Sequence, residues 1–93
     1  MIVGYRDKRT ETVASRKCPK GFPADVFKVA YRKLAMLEAA VVLDDLRSPP
    51  GNRLEALKGD RKGQHSVRIN DQWRICFVWT ERGPDRVEIV DYH

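Results

Sequence analysis

The strongest constraint on the fold is a run of strict alternation late in the chain. Over residues 73–80, Trp73, Ile75, Phe77 and Trp79 share one parity, and Arg74, Cys76, Val78 and Thr80 share the other. A period of two predicts a strand with one face buried. Similar runs lie on either side. Residues 64–69 set Val67 and Ile69 against Ser66 and Arg68, and residues 86–92 point Val87 and Ile89 inward. The intervening Asn70-Asp71-Gln72 and Glu81-Arg82-Gly83-Pro84-Asp85 carry turn chemistry. Connections this short predict an antiparallel meander with one apolar face that another element must cover.

The cover is expected from residues 24 to about 46. Val26, Ala30, Leu34, Leu37 and Val41, and at the end Asp44, recur at helical spacing, with Val29, Ala40 and Leu43 or Leu46 widening the stripe. Lys28, Arg32, Lys33, Glu38 and Asp45 fall on other faces. Ser48-Pro49-Pro50-Gly51-Asn52 stops the helix. Upstream, residues 2–5 suggest an edge or joining strand, and residues 7–17 a short helix with Thr10 as its cap ahead of Glu11. Two prolines and a glycine within residues 18–23 break that helix. The expected order is β-α-α-β-β-β: a single α+β domain over residues 1–93, with one face of an antiparallel sheet covered by a long helix.

Composition narrows the function. The 93 residues suit one modest core, and 42% apolar with 33% charged residues fits a folded chain. No apolar run approaches the ~20 residues of a membrane span, and residues 1–6 lack the apolar core of a signal peptide, so the expected location is the cytoplasm with no membrane partner. Cys18 and Cys76 are too far apart for a zinc site, and neither a metal nor a cofactor is expected. Cys76 reads as a small apolar strand residue. A net charge of +5 and a pI of about 9.5 favour a polyanionic partner, nucleic acid first.

The candidate chemistry gathers on the sheet face away from the helix. Arg68 and Arg74 project there by parity. Lys58-Gly59-Asp60-Arg61-Lys62-Gly63 is a glycine-punctuated loop with three cations leading toward Arg68. It lacks P-loop spacing, but its glycines would let amides approach a phosphate that its cations neutralise. The chain closes on Asp91-Tyr92-His93. RNA is cut without metal when one group removes the 2′-OH proton, another stabilises the phosphorane, and a third protonates the leaving 5′-oxygen. Lys58, Arg61 and Arg74 suit the second task. His93 suits proton transfer, and its own α-carboxylate would favour the imidazolium of a general acid. Glu55 is a candidate base, with an ordinary surface glutamate as the simpler alternative. Tyr92 has the parity to stack a base on the open side. His65 shares parity with Val67 and is expected to pack, as are Trp73 and Trp79.

Residues 57–63, 66–77 and 90–93, together with the helix segment around Arg32-Lys33-Leu34 and residues 47–54, resemble the HigB branch of the RelE/ParE toxin superfamily, in particular GraT-like HigB toxins. The resemblance spans nearly the whole chain. It implies a RelE-like fold and the toxin half of a type II toxin–antitoxin pair. Such toxins enter the ribosomal A site and cleave mRNA, leaving a 2′,3′-cyclic phosphate and a 5′-OH. It carries catalytic roles onto Asp91, Tyr92 and His93, with Lys58 and Arg74 binding phosphate. Some relatives hold a catalytic histidine where this chain has Glu55. The implied partner is a HigA-like helix-turn-helix antitoxin, which brings operator DNA only through the complex. Two alternatives stay open: a non-catalytic or gyrase-directed member of the same fold, and a plain basic RNA-binding domain.

Overall fold

Asp7 opens the first helix by accepting the Thr10 amide at 2.8 Å, which satisfies one of the unpaired N–H groups of a helix start. This helix, α1, runs Lys8–Ala14. Asp7 is thus the cap, and Thr10 has a different task. Its side chain is fully buried, and its Oγ1 accepts the Ile89 amide at 2.9 Å. A computed structural model describes residues 1–91 of the chain.

The second helix, α2, covers Ala24–Ala39 and buries Val26, Ala30, Leu34 and Leu37. It is shorter than its periodicity suggests. Ala40 is extended, and Val41 is 83% exposed. Asp45 accepts the amides of Val41 and Val42 at 2.9 and 3.1 Å, starting a separate 3-10 turn over Leu43–Arg47 that tucks Leu46 back into the core. The 16 helical residues span ~24 Å at 1.5 Å each. The longest neighbouring internal strand, with 8 residues, spans ~26 Å. The helix is therefore about as long as that strand, and it ends although an apolar side chain still falls on its stripe.

Four strands form the antiparallel sheet in sequence order: β1 (Glu55–Ala56), β2 (His65–Arg68), β3 (Trp73–Thr80) and β4 (Gly83–Asp91). The meander, its inward parity and its cover match the expectation, and the fold is α+β. β1 is an addition at one edge. At the other edge, the expected first strand is reduced to a parallel bridge between Tyr5 and Val87. Val3 donates to the Pro84 carbonyl and Arg6 to that of Val87. Beyond the bridge, α1 takes over. Thr10 and Arg9 satisfy the Ile89 amide and carbonyl, the latter at 2.8 Å. This edge of β4 is therefore occupied by the chain's own beginning, which blunts strand addition there.

The β3–β4 turn is tight, with Thr80 opposite Gly83. Gly83 sits at φ +125, and a Cβ there would collide with the Met1 carbonyl. Further along, β4 carries one extra residue opposite Phe77, absorbed at Arg86 with φ 50. This bulge turns Val87 and Ile89 inward and sets Glu88 on the outer face beside Cys76. The core lies between the helices and Val67, Ile75, Phe77, Val87 and Ile89.

Candidate nucleic-acid interface

The register aligns the outer face into rungs. Glu55, Ser66, Cys76 and Glu88 form one rung across the four strands. The next rung is Arg68, Arg74 and Val90. Rungs on one face lie ~6.6 Å apart along a strand. Two guanidinium-bearing residues are thus direct cross-strand partners, an arrangement that like-charge repulsion disfavours unless anions attend it. Arg68 donates to the Asp71 carboxylate.

Arg61 reaches over the Glu55–Glu88 rung from the 3-10 turn at Gly59–Arg61. Its Nη1 donates to Gln64 Oε1 at 3.1 Å and to Glu88 Oε1 at 3.2 Å. Arg6 approaches the same Glu88 oxygen at 3.8 Å. Under this layer, Ser66 and Cys76 are fully buried, so the face is less open than its parity suggests. Burial pushes the Cys76 thiol up, outweighing the opposing pull of Arg61. The loop glycines act differently from the expectation of close phosphate approach. Gly59 and Gly63 adopt φ 64 and 93, and a Cβ on either would meet nothing. They are needed for backbone conformation. The amides of Arg61, Lys62 and Gln64 are bonded to carbonyls within the loop.

Glu55 and Lys58 line a concavity of about 480 Å³ with Ala56 and Leu57. Both are exposed, and neither forms an ion pair among the described residues. The strand that holds Glu55 is anchored from below. Asn52 is buried and donates to the Leu46 and Ser48 carbonyls at 3.1 and 3.3 Å, while its Oδ1 accepts from Lys33. Lys33, expected on a helix face away from the apolar stripe, is only 8% exposed. Desolvation first, then Arg32 and Arg68, depress its pKa.

Asp91 pairs with Trp73, so its register belongs to the helix-side face and not to the Arg74 rung. Gln72 Nε2 donates to both Asp91 carboxylate oxygens, at 3.1 and 3.2 Å. Tyr92 and His93, the remaining terminal candidates, lie outside the described residues. His65 stacks on Phe77 with centroids 6.2 Å apart, as a packing residue would. Trp73 packs edge-on to Phe22 at 5.5 Å, and Trp79 lies against the core. Sequence reasoning missed Gln64, Glu88, Gln72 and Asn52. Outward parity was the one available signal for Glu88, and the bulge that sets it is invisible beforehand.

This arrangement combines clustered cations, a carboxylate edge and a tethered guanidinium on one face. Comparison with known proteins agrees in direction. The family described as RelE-like toxin of type II toxin-antitoxin system HigB matches residues 5–93. The chain is 39% identical over 82 residues to Toxin HigB-1 of Vibrio cholerae, covering 87% of this chain and 86% of that one. It is 26% identical over 93 residues to Endoribonuclease HigB of Proteus vulgaris, across the full length of both. An uncharacterized protein of Haemophilus influenzae is 42% identical over 57 residues, 61% of this chain and 56% of its own. A fold of RelE-like topology and a family match over nearly all of its length place this chain among the HigB-type toxins of type II toxin–antitoxin systems.

Proposed function

We propose that this toxin is a ribosome-dependent mRNA endonuclease that inhibits translation and growth. The observation that carries the reading is the Arg68–Arg74 pair beside the Glu55–Glu88 rung, on the outer face of the sheet. Adjacent guanidinium groups gain most from a ligand that is itself a row of anions. The name of the Proteus vulgaris relative supports RNA as that ligand.

In this reaction, Glu55 removes the proton of a 2′-OH in mRNA. The 2′-oxygen bonds to phosphorus, and the P–O5′ bond breaks. A 2′,3′-cyclic phosphate and a 5′-OH result, and the 5′-oxygen takes its proton from His93. Lys58, Arg61, Arg68 and Arg74 stabilise the charge that builds on the phosphorane, so the reaction needs no metal. Asp91 and Tyr92 complete the terminal site, Tyr92 by stacking on a base. A ribosome that already holds the mRNA supplies the orientation that so few acid–base groups lack. As a type II toxin the chain has an antitoxin partner. We take that partner to be HigA-like, with a helix-turn-helix that brings operator DNA to the complex. The location is the cytoplasm, where the A site is found. No described helix is long and apolar enough to cross a membrane.

The test is to express wild type and His93→Ala in cells and map mRNA ends during translation. Wild type should produce new 5′-OH ends and arrest growth, and His93→Ala should do neither. Undiminished arrest by His93→Ala would remove His93 from the mechanism, and robust cutting of naked RNA would remove the ribosome.

A further inference from the structure

The contact between Arg61 and Glu88 joins a loop to the far strand of the sheet, 27 residues away in sequence. Arg61 is the loop's deepest cation, with its side chain 30% exposed, and Glu88 is 21% exposed. The atoms used are informative. Nη1 has two hydrogens, and both have an acceptor: Gln64 Oε1 and Glu88 Oε1. Nε and Nη2 make no bond among the described residues. A guanidinium binds phosphate best through two parallel N–H groups, and the Nε–Nη2 edge is such a pair. The carboxylate thus holds the group by one corner and leaves a bidentate edge available.

Two further facts make Glu88 a built support. The bulge at Arg86 places Glu88 on the outer face. Arg6 attends the same Glu88 oxygen at 3.8 Å, so the carboxylate has a second cation beside it. We propose that Glu88 is a positioning residue that orients Arg61 to clamp an RNA phosphate through its Nε–Nη2 edge. This rests on the endonuclease reading for its substrate. Glu88 itself touches no RNA in this proposal. An unrestrained arginine loses rotamer freedom on binding, and a pre-oriented one loses less.

A double-mutant cycle tests it, with mRNA cleavage in a translating extract and side-chain motion as separate readouts. Glu88→Ala should lower the cleavage rate roughly tenfold or more. Arg61→Ala should lower it at least as far, and Glu88→Ala should then add nothing in the Arg61→Ala background. Glu88→Gln, which keeps an acceptor oxygen, should recover much of the loss. The 15N relaxation of the Arg61 Nε–Hε group should report a restrained guanidinium in wild type and a mobile one in Glu88→Ala. Additive losses, faster cleavage by Glu88→Ala, or equally mobile Arg61 in both proteins would overturn the positioning role while leaving the endonuclease reading intact. A restrained Arg61 in a wild type that cuts no mRNA would overturn the endonuclease reading, and the phosphate role with it.

Discussion

Lys33 donates its ammonium to the Asn52 side-chain carbonyl, so the middle of the long helix is tied to the turn just before β1. Because Asn52 also donates to two carbonyls, one side chain fixes the approach to Glu55 and Lys58. Replacing Asn52 with alanine leaves a buried cation and two carbonyls without their partner. The expected loss is about 2–4 kcal/mol in urea unfolding. A loss below about 0.5 kcal/mol, the scale of ordinary surface changes, would show that water replaces Asn52 at no cost.

The same pair predicts a pH dependence. The folded pKa of Lys33 is lowered, chiefly by desolvation, with Arg32 and Arg68 adding to it. Between that lowered value and the unfolded ~10.4, the unfolded chain holds more protons, so stability should climb with pH. Lys33→Met should flatten the climb in urea midpoints compared at mildly and strongly alkaline pH. Tyr5 works the other way above about 10, its usual value. Its pKa is raised by burial, Glu38 and Glu11, so stability should fall as pH passes from that usual value toward the raised one.

Thr10→Val keeps the shape of a buried residue and removes the acceptor for the Ile89 amide. The orphaned amide should cost about 1–3 kcal/mol, seen as a lower thermal midpoint with α1 detached first in hydrogen exchange. Equal protection of α1 in both proteins would show that this bond does not hold the helix.

Glu55→Gln tests the base. Glu55 is exposed and makes no ion pair among the described residues, so the thermal midpoint should not move. Cleavage in a translating extract should fall by about 10²–10⁴, the range of general base catalysis. An unchanged rate assigns the 2′-OH proton to another acceptor.

The two thiols should separate cleanly. Cys18 is exposed, whereas Cys76 is buried with its thiol pKa pushed up. An aromatic disulfide reagent should titrate Cys18 at once and Cys76 only at the rate of global unfolding. Two equally fast thiols would mean that the Arg61–Glu88 layer opens readily.

The periodic parts of this fold were legible in the sequence. Trp73 through Trp79 and Val87 with Ile89 needed only a period of two, and Val26 to Leu37 only a period of 3.6. Relations between distant residues were not legible. Lys33 looks like any helix-surface lysine until Asn52, 19 positions on, comes to meet it. Thr10 has the composition of a cap, and its actual partner stands 79 residues away. Val41 continues the apolar stripe, but the backbone turns extended at Ala40 and leaves it exposed. β1 has two residues, too few to show any period. Within the candidate site, the cations and Glu55 were named from residue type and position alone. Their supports, Glu88, Gln64 and Asn52, are set by a bulge, a turn and a buried triangle of bonds.

The clasp that Thr10 and Arg9 make on Ile89 also has a consequence in time. A growing chain emits α1 well before β4, so the helix can meet α2 early but cannot make its clasp on Ile89 until β4 has been synthesised. Contacts of such separation are slow to close, because the loop they span must be ordered first. The Arg6–Glu88 and Arg61–Glu88 links wait for the same strand. A nascent toxin therefore carries its cations for most of its synthesis as an unassembled polymer. The outer face takes its finished form only once β4 has left the ribosome that made it.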